Sequence, residues 1–264
     1  MFFVVIASFS DSKLVLTGQT FFLPKGLTLE GYRQVFADPR IWTGLRNTIA
    51  YTVVGTLFSL ITTLLGAYAL SRKELVGRKF FMVFFTITMF FGGGMIPNYI
   101  LMKDLKLIDT FWVMILPGLI GVYNMILART FMQNLPYDLF EAASIDGCSD
   151  TYYFFRMVLP LSKACMAVIA LYYAVGHWNA YFNAFIYLND RNRYPLALFL
   201  RDILINNQMT GDMDLDPELL ERKLGLAEVL KYSLIVVATG PILLVYPFAQ
   251  RYFVKGVMIG SLKG

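Results

Sequence analysis

The stretch NTIAYTVVGTLFSLITTLLGAYAL, residues 47–70, runs for 24 residues without Asp, Glu, Lys or Arg. A helix rises about 1.5 Å per residue and the hydrocarbon core of a bilayer is about 30 Å thick, so roughly 20 apolar residues cross it. Residues 47–70 are long enough to do so. Four more charge-free runs follow at 80–102, 111–128, 164–189 and 232–250, with lengths of 23, 18, 26 and 19 residues. The opening residues 1–9 are equally apolar, but a helix of that length reaches only about 13 Å. They read as the outer end of a span whose beginning is missing. A signal peptide is the rival reading, yet residues 1–9 lack a basic leading region and a small-residue cleavage site.

The whole chain agrees with its longest runs. Of its 264 residues 57% are apolar and 16% charged, against about 45–50% and about a quarter in soluble domains. A soluble enzyme is excluded. The second run is broken by Gly92-Gly93-Gly94 and Pro97, so its helix should end near Phe91; Pro117, Pro241 and Pro247 read as kinks inside a packed bundle. The glycine triplet lacks the carbonyl-lined signature of a potassium filter and reads as close backbone packing. The fold expected is an all-α integral membrane bundle forming one domain over 1–264. Its spans lie near 1–9 (partial), 47–70, 80–102, 111–132, 164–188 and 232–250.

Basic residues near span ends orient such a bundle. The link 71–79 holds Arg72, Lys73, Arg78 and Lys79 against Glu74 alone, and the tail after Gln250 holds Arg251, Lys255 and Lys263 without an acid. Both are expected on the cytoplasmic side, with 129–163. The outer segments are then 10–46, 92–110 and 190–231. The inner segments carry 10 basic and 5 acidic residues and the outer ones 13 of each. The net charge of +5 therefore sits where anionic lipid explains it, and it is no argument for nucleic acid. Cys148 and Cys165 fall in or beside the inner loop and should be reduced thiols. With one histidine far along the chain they make no zinc spacing, and no metal site is expected.

The most informative polar segment is the inner loop 134–160, which contains LPYDLFEAASIDGCSDT (135–151) and YYFFRMVLP (152–160). Pro136 suits a helix start, and Asp138 and Glu141 favour the positive end of the helix dipole. Leu139–Ile145 should be a short helix with a small, flat Ala142-Ala143 face, and Gly147 should turn the chain out of it. Tyr152–Leu159 should be a second apolar helix stopped by Pro160. Such a helix–turn–helix beneath a membrane either docks into a groove of another protein or rests on lipid as an interfacial linker.

The string EAASIDG at Glu141–Gly147, in the wider context FEAASIDGCSDTYYFFRMVLPLSK, resembles the EAA loop of permease subunits of bacterial ABC importers, in the carbohydrate-uptake, maltose-permease branch. GGMIPNY (93–99), ILPG (115–118), GHWNAYFNAFIYL (176–188) and YFVKGVMIGSLKG (252–264) extend the likeness along nearly the whole chain, towards the LplC/YtcP-type subgroup associated with complex oligosaccharides. The resemblance implies a six-span type I importer permease in the bacterial plasma (inner) membrane, multi-pass, with a cytoplasmic C-terminus. It implies as partners a second, homologous permease, two ATP-binding subunits and an extracytoplasmic solute-binding protein. Substrate would pass by alternating access. Glu141 would pair with a basic residue of the ATPase, Ala142 and Ala143 would allow close approach, and Gly147 would make the turn, with Asp146 and Pro160 completing the coupling motif. Family members begin with a complete first span, a point at which this chain departs.

Other polar features carry two readings each. His177, Trp178, Asn179 and Asn183 share a helix face by spacing and either line a translocation path, where Trp178 would stack on a sugar, or bind helices together. The outer loop 189–228, with Tyr194, Pro195, Leu196 and Arg201, either contacts the binding protein or caps the bundle. Asp212-Met-Asp-Leu-Asp216 lacks the turn glycine and the closing Glu of a calcium loop; Asp216-Pro217-Glu218 reads as a helix start. No phosphate-binding G-x-x-x-x-G-K-[ST] occurs, so ATP and Mg belong to the partner subunits and no cofactor is expected here. An ion-gradient-coupled secondary sugar transporter is the alternative, but the runs hold no intramembrane carboxylate and no inverted repeat. An intramembrane enzyme would need an acid–base pair that is not there.

Overall fold

The computed structural model describes residues 2–18, 23, 26–209, 225 and 227–244, with the backbone alone at 203–209. The outer-loop residues 210–224, the continuation of the last span to 250 and the closing motif at 252–264 lie outside the described residues. In chain order the helices are α1 (Phe2–Ser8), α2 (Ser12–Leu16), α3 (Glu30–Ala37), α4 (Pro39–Ser71), α5 (Arg78–Phe90), α6 (Met95–Asp104), α7 (Val122–Gln133) and α8 (Asp138–Ile145). They continue as α9 (Asp150–Leu161), α10 (Lys163–Trp178), α11 (Tyr181–Tyr187), α12 (Leu196–Met209) and α13 (Ala227–Leu244). No strand occurs among the described residues. A bilayer leaves few alternatives, because a helix satisfies every backbone polar group within itself.

Among the described residues two helices, α4 and α13, are each long and apolar enough to cross a membrane. At 33 residues α4 starts eight residues before the charge-free run it contains, and about 50 Å of helix overshoots the hydrocarbon on at least one side. Three bent pairs reach the same length and apolarity only when each is taken together, as a broken span or a re-entrant loop: α5 with α6 at 113°, the turns of Phe111–Gly118 with α7 at 53°, and α9 with α10 at 81°. Local sequence accounts for each bend. Between α5 and α6 the chain extends at Phe91 and turns through Gly94 at φ +85°, a region glycine enters without a Cβ clash. Before α7, Pro117 and Gly118 hold the chain in 3-10 turns, so the regular helix starts only at Val122.

Pro160 does not stop the helix that precedes it. Its ring would press on the carbonyl of Arg156 and it has no N–H to offer. The chain responds with a wide π turn over Phe154–Val158 and continues to Leu161. The sharp bend falls two residues later at Ser162, whose N–H reaches the carbonyls of Val158 at 2.9 Å and Leu159 at 3.1 Å. The run 164–188 is also divided. Its helix ends at Trp178, and Tyr181 N–H closes on Asn179 O at 2.8 Å around Ala180 at φ −75°, ψ +65°, an inverse γ-turn.

The chain forms two compact units. One comprises Met1–Ala50 together with Trp178–Val245, and its core gathers Val35, Ile41, Leu196, Leu234 and Ala238. The other runs from Tyr51 to His177. There α4 contributes Leu64, Ala67 and Leu70, α7 contributes Met125, Ala128 and Met132, and α10 contributes Cys165, Ile169 and Tyr173. Spacings of three and four put each trio on one helix face. Between helices in lipid there is no hydrophobic drive, so close van der Waals packing holds them. Fully buried Ala67 and Ala128 serve it by letting backbones approach. By contrast no residue of α5 is buried, as expected of a helix whose apolar faces meet lipid or another chain.

Candidate functional site

Within the unit 51–177, α8 carries the EAASIDG segment. Asp138 and Glu141 occupy its first turn, where the dipole favours acids. Its end is a Schellman motif: Cys148 N–H reaches Ala143 O at 2.9 Å and Gly147 N–H reaches Ser144 O at 3.1 Å, with Gly147 at φ +74°. Ser149 then caps α9, its Oγ accepting from Tyr152 N–H at 3.3 Å.

The two alanines of the motif do not form one face. Successive helical residues are rotated by about 100°. Ala143 is therefore turned into the core at 4% exposure, while Ala142 is exposed beside Glu141, Ser144 and Asp146. Ile145, at 86% exposure, is a large apolar side chain on the outward surface that the sequence reading passed over. An isoleucine between two polar residues of a short helix was the available signal.

The inward side of α8 is held by a residue the sequence reading used only as a topology marker. Arg72, just past the end of α4, stacks its guanidinium carbon 3.4 Å from the Phe140 ring centroid, with the rings of Tyr68 at 5.8 Å and Tyr153 at 6.0 Å. Its nitrogens lie 3.4 Å from Glu74 and 3.6 Å from Asp150, and its side chain is 15% exposed. Tyr137 donates its hydroxyl to Glu74 Oε1 at 2.8 Å. That bond pushes the Tyr137 phenol up from its usual range. The Glu74 carboxyl is held below its usual range by its own backbone amide first, against a smaller cost of burial, then by Tyr137 and the charges of Arg72 and Lys73. Burial pushes the Tyr153 phenol up. The links run from α4 and the residues just past it to both helices of the 134–160 loop.

Further along the same unit a polar seam follows one face of α4. Tyr173 Oη accepts from Gly121 N–H at 2.8 Å and pairs with Thr63 Oγ1 at 2.6 Å. One turn on, His177 Nε2 is 3.5 Å from Ser59 Oγ, and its ring lies against Gly55, where an added Cβ would come within 2.7 Å of Nε2. Tyr173 was legible only as a tyrosine four residues before the histidine. The hydroxyls of Thr52 and Thr56 are buried on this seam without a hydrogen-bond partner among the described residues.

The expected grouping of His177, Trp178, Asn179 and Asn183 on one helix face is interrupted, because the γ-turn at Ala180 separates Asn183 from the others. Trp178 donates its indole N–H to Ala238 O at 3.0 Å, which leaves the ring no free donor. In the outer segment Pro195 is buried, Leu196 is 1% exposed in the core, and Tyr194 and Arg201 are half-buried. Thr48 Oγ1 accepts from Leu196 N–H at 2.8 Å, and Asn47 donates to the carbonyls of Asn192 at 2.7 Å and Tyr194 at 3.1 Å. Arg201 stacks on Phe185 at 4.0 Å. Tyr194-Pro195-Leu196 thus docks back on α4. The surface there is carried instead by the exposed Arg191–Arg193.

Residues 41–259 match the family model of the binding-protein-dependent transport system inner membrane component. The chain belongs to this family. Among its relatives, the polygalacturonan/rhamnogalacturonan transport system permease protein YtcP of Bacillus subtilis (strain 168) is 42% identical over 99% of this chain and 91% of its own length. Protein LplC of the same organism is 40% identical over 99% and 88%. The all-helical fold matches a chain in the crystal structure of a bacterial ABC transporter involved in the import of the acidic polysaccharide alginate, with a TM-score of 0.85 at 32% identity, over 96% of this chain and 89% of that one. An ABC importer permease fold and a carbohydrate ABC permease family are thereby shown. The family's members are transport components and not enzymes, and the ion-gradient alternative is not favoured.

Proposed function

We propose that this permease is the membrane-spanning subunit of an ATP-driven oligosaccharide importer of the bacterial inner membrane. It works beside a second permease, two ATP-hydrolysing subunits that hold ATP and Mg, and an extracytoplasmic binding protein, with its C-terminus on the cytoplasmic side. The observation that carries the coupling role is the two-sided character of α8. Phe140 and Ala143 are anchored inward, while Glu141, Ala142, Ile145 and Asp146 face outward. A lever needs one side fixed and one side free. Glu141 offers the charge for a basic residue of the ATPase, Ala142 the close approach, and Ile145 an apolar knob for its groove. Gly147 and the helical stretch containing Pro160 then carry the motion into α10.

The polar seam around Ser59, Tyr173 and His177 supports a role in holding the helices in register between access states. His177, Trp178, Asn179 and Asn183 are the candidates for a translocation path. Arg191–Arg193 take over from Tyr194 and Leu196 as the candidate contact with the binding protein. Two of the relatives are named for polygalacturonan/rhamnogalacturonan and alginate transport, which supports uronate-bearing oligosaccharides as the substrate class.

Glu141→Lys in the complex purified with the ATPases of the same cell is the test. Assembly and binding-protein-stimulated ATP turnover should both fall sharply. Intact assembly and turnover in that variant would remove α8 from the coupling role.

A further inference from the structure

Beside the end of α4 lies a cavity of about 360 Å³, walled by the α4–α5 link, the start of α5, the α7–α8 link and α9. Volumes of this order hold small ligands. Among the described residues its charged lining is Arg72, Lys73 and Arg78, with no carboxylate. Arg72 is already neutralised by Glu74 and Asp150. Lys73 stands over the Tyr137 ring at 4.2 Å, and Arg78 gives one N–H to Arg72 O at 3.5 Å. Neither makes a direct ion pair with a carboxylate among the described residues. Lys73 feels the charge of Glu74 outside the lining, but cations that face one small space repel each other, and an anion between them removes the cost. Ser71, the last residue of α4, and Gln133 add neutral polar groups, while Leu135 and Val158 make part of the wall apolar.

The cavity also sits where a lipid headgroup would. It adjoins the end of a span in the most basic short link of the chain. Next to Arg78, the side chain of Phe80 is 69% exposed and Phe81 lies beside it, also exposed, on a helix that buries no residue. Basic pockets between helices at the cytoplasmic surface are suited to phosphate headgroups. We propose that this cavity binds a phosphate ester, supplied by an anionic phospholipid whose headgroup meets Lys73 and Arg78 and whose acyl chains follow the exposed apolar face of α5. Tyr137 and Phe140 share its wall, so an occupied cavity braces the link that carries α8 and makes the setting of that helix responsive to the lipid. The binding itself does not depend on the coupling role of α8, and its test reads lipid retention, not transport.

The full chain in detergent, titrated with phosphatidylglycerol or phosphatidylcholine of matched acyl chains and read by native mass spectrometry, tests the site. One phosphatidylglycerol should be retained in preference to phosphatidylcholine. Since each basic residue at an anionic surface contributes on the order of a fivefold factor, K73Q/R78Q should weaken retention about 30-fold and the exposed K73Q alone about fivefold. K103Q/K106Q, an equal change of charge on and just past α6, should leave it unchanged. Equal retention of the two lipids by the wild type, or unchanged retention in both K73Q and K73Q/R78Q, overturns the proposal. Displacement by millimolar glycerol 3-phosphate but not by glycerol assigns the ester to a soluble source, and resistance to both assigns it to lipid. Equal displacement by glycerol and glycerol 3-phosphate overturns the phosphate chemistry.

Discussion

The guanidinium of Arg72 sits over Phe140 with its central carbon 3.4 Å from the ring centroid, joining the end of α4 to the helix that bears Glu141. Its two carboxylate partners, Glu74 and Asp150, are half or more exposed and remain solvated without it, so those ion pairs are worth little. The stacking is half-buried and carries more.

Arg72→Ala should therefore cost about 2 kcal/mol of stability, read as a lower unfolding midpoint in detergent. Arg72→Lys keeps the charge but loses the planar face and should recover less than half of that. Asp150→Asn should cost well under 1 kcal/mol. A larger loss in Asp150→Asn than in Arg72→Lys would show that charge pairing, and not stacking, holds the joint.

Gly147 turns α8 into α9 at φ +74°, and an added Cβ there meets nothing within 4 Å. The cost of Gly147→Ala is then purely conformational, about 1–2 kcal/mol. Gly147→Asn should cost less, because Asn tolerates the left-handed region. Thermal unfolding of the two variants decides it: equal losses would point to a steric origin that the structure does not show.

The Glu74 carboxyl titrates below its ordinary value. Its contribution to stability is thus fully present above that ordinary value and is lost as pH falls through the lowered folded one. Tyr137→Phe removes one of the groups that lower it, so the variant should be slightly less stable than the wild type at pH 7, and the difference should shrink as pH falls and the carboxyl is protonated in both. Unfolding midpoints measured from pH 7 down through the acidic range provide the check, and superimposable curves for the two proteins would count against the Tyr137–Glu74 link.

Tyr173→Phe deletes a hydroxyl that joins Thr63 to the Gly121 amide. Leaving the Gly121 N–H without that acceptor should cost about 1–2 kcal/mol. The start of α7 should also exchange its amide hydrogens faster. Unchanged exchange at 121–125 would mean that packing alone places α7.

Much of this was legible in the sequence, and the parts that were not share a cause. Gly147 announced its turn because a left-handed residue after a helix is a local demand. The break at Gly92–Gly94 was equally local. Pro160 misled, because whether a proline ends a helix or is absorbed by a π turn depends on what packs around Phe154 and Val158. Leu196 misled likewise: nothing within an outer loop records that Thr48, 148 positions away, accepts its amide.

The order and apolar length of the spans, the acidic start and glycine end of α8, and the family itself follow from the sequence alone, since each rests on neighbours a few residues apart. Which way Ala142 and Ala143 point, the stacking of Arg72 on Phe140, the seating of His177 against Gly55 and the all-cationic cavity near Arg78 were decided only by the tertiary structure. Each joins residues more than a turn of helix apart. A charge-free run says that a helix will be buried in lipid, but not which of its faces will meet another helix.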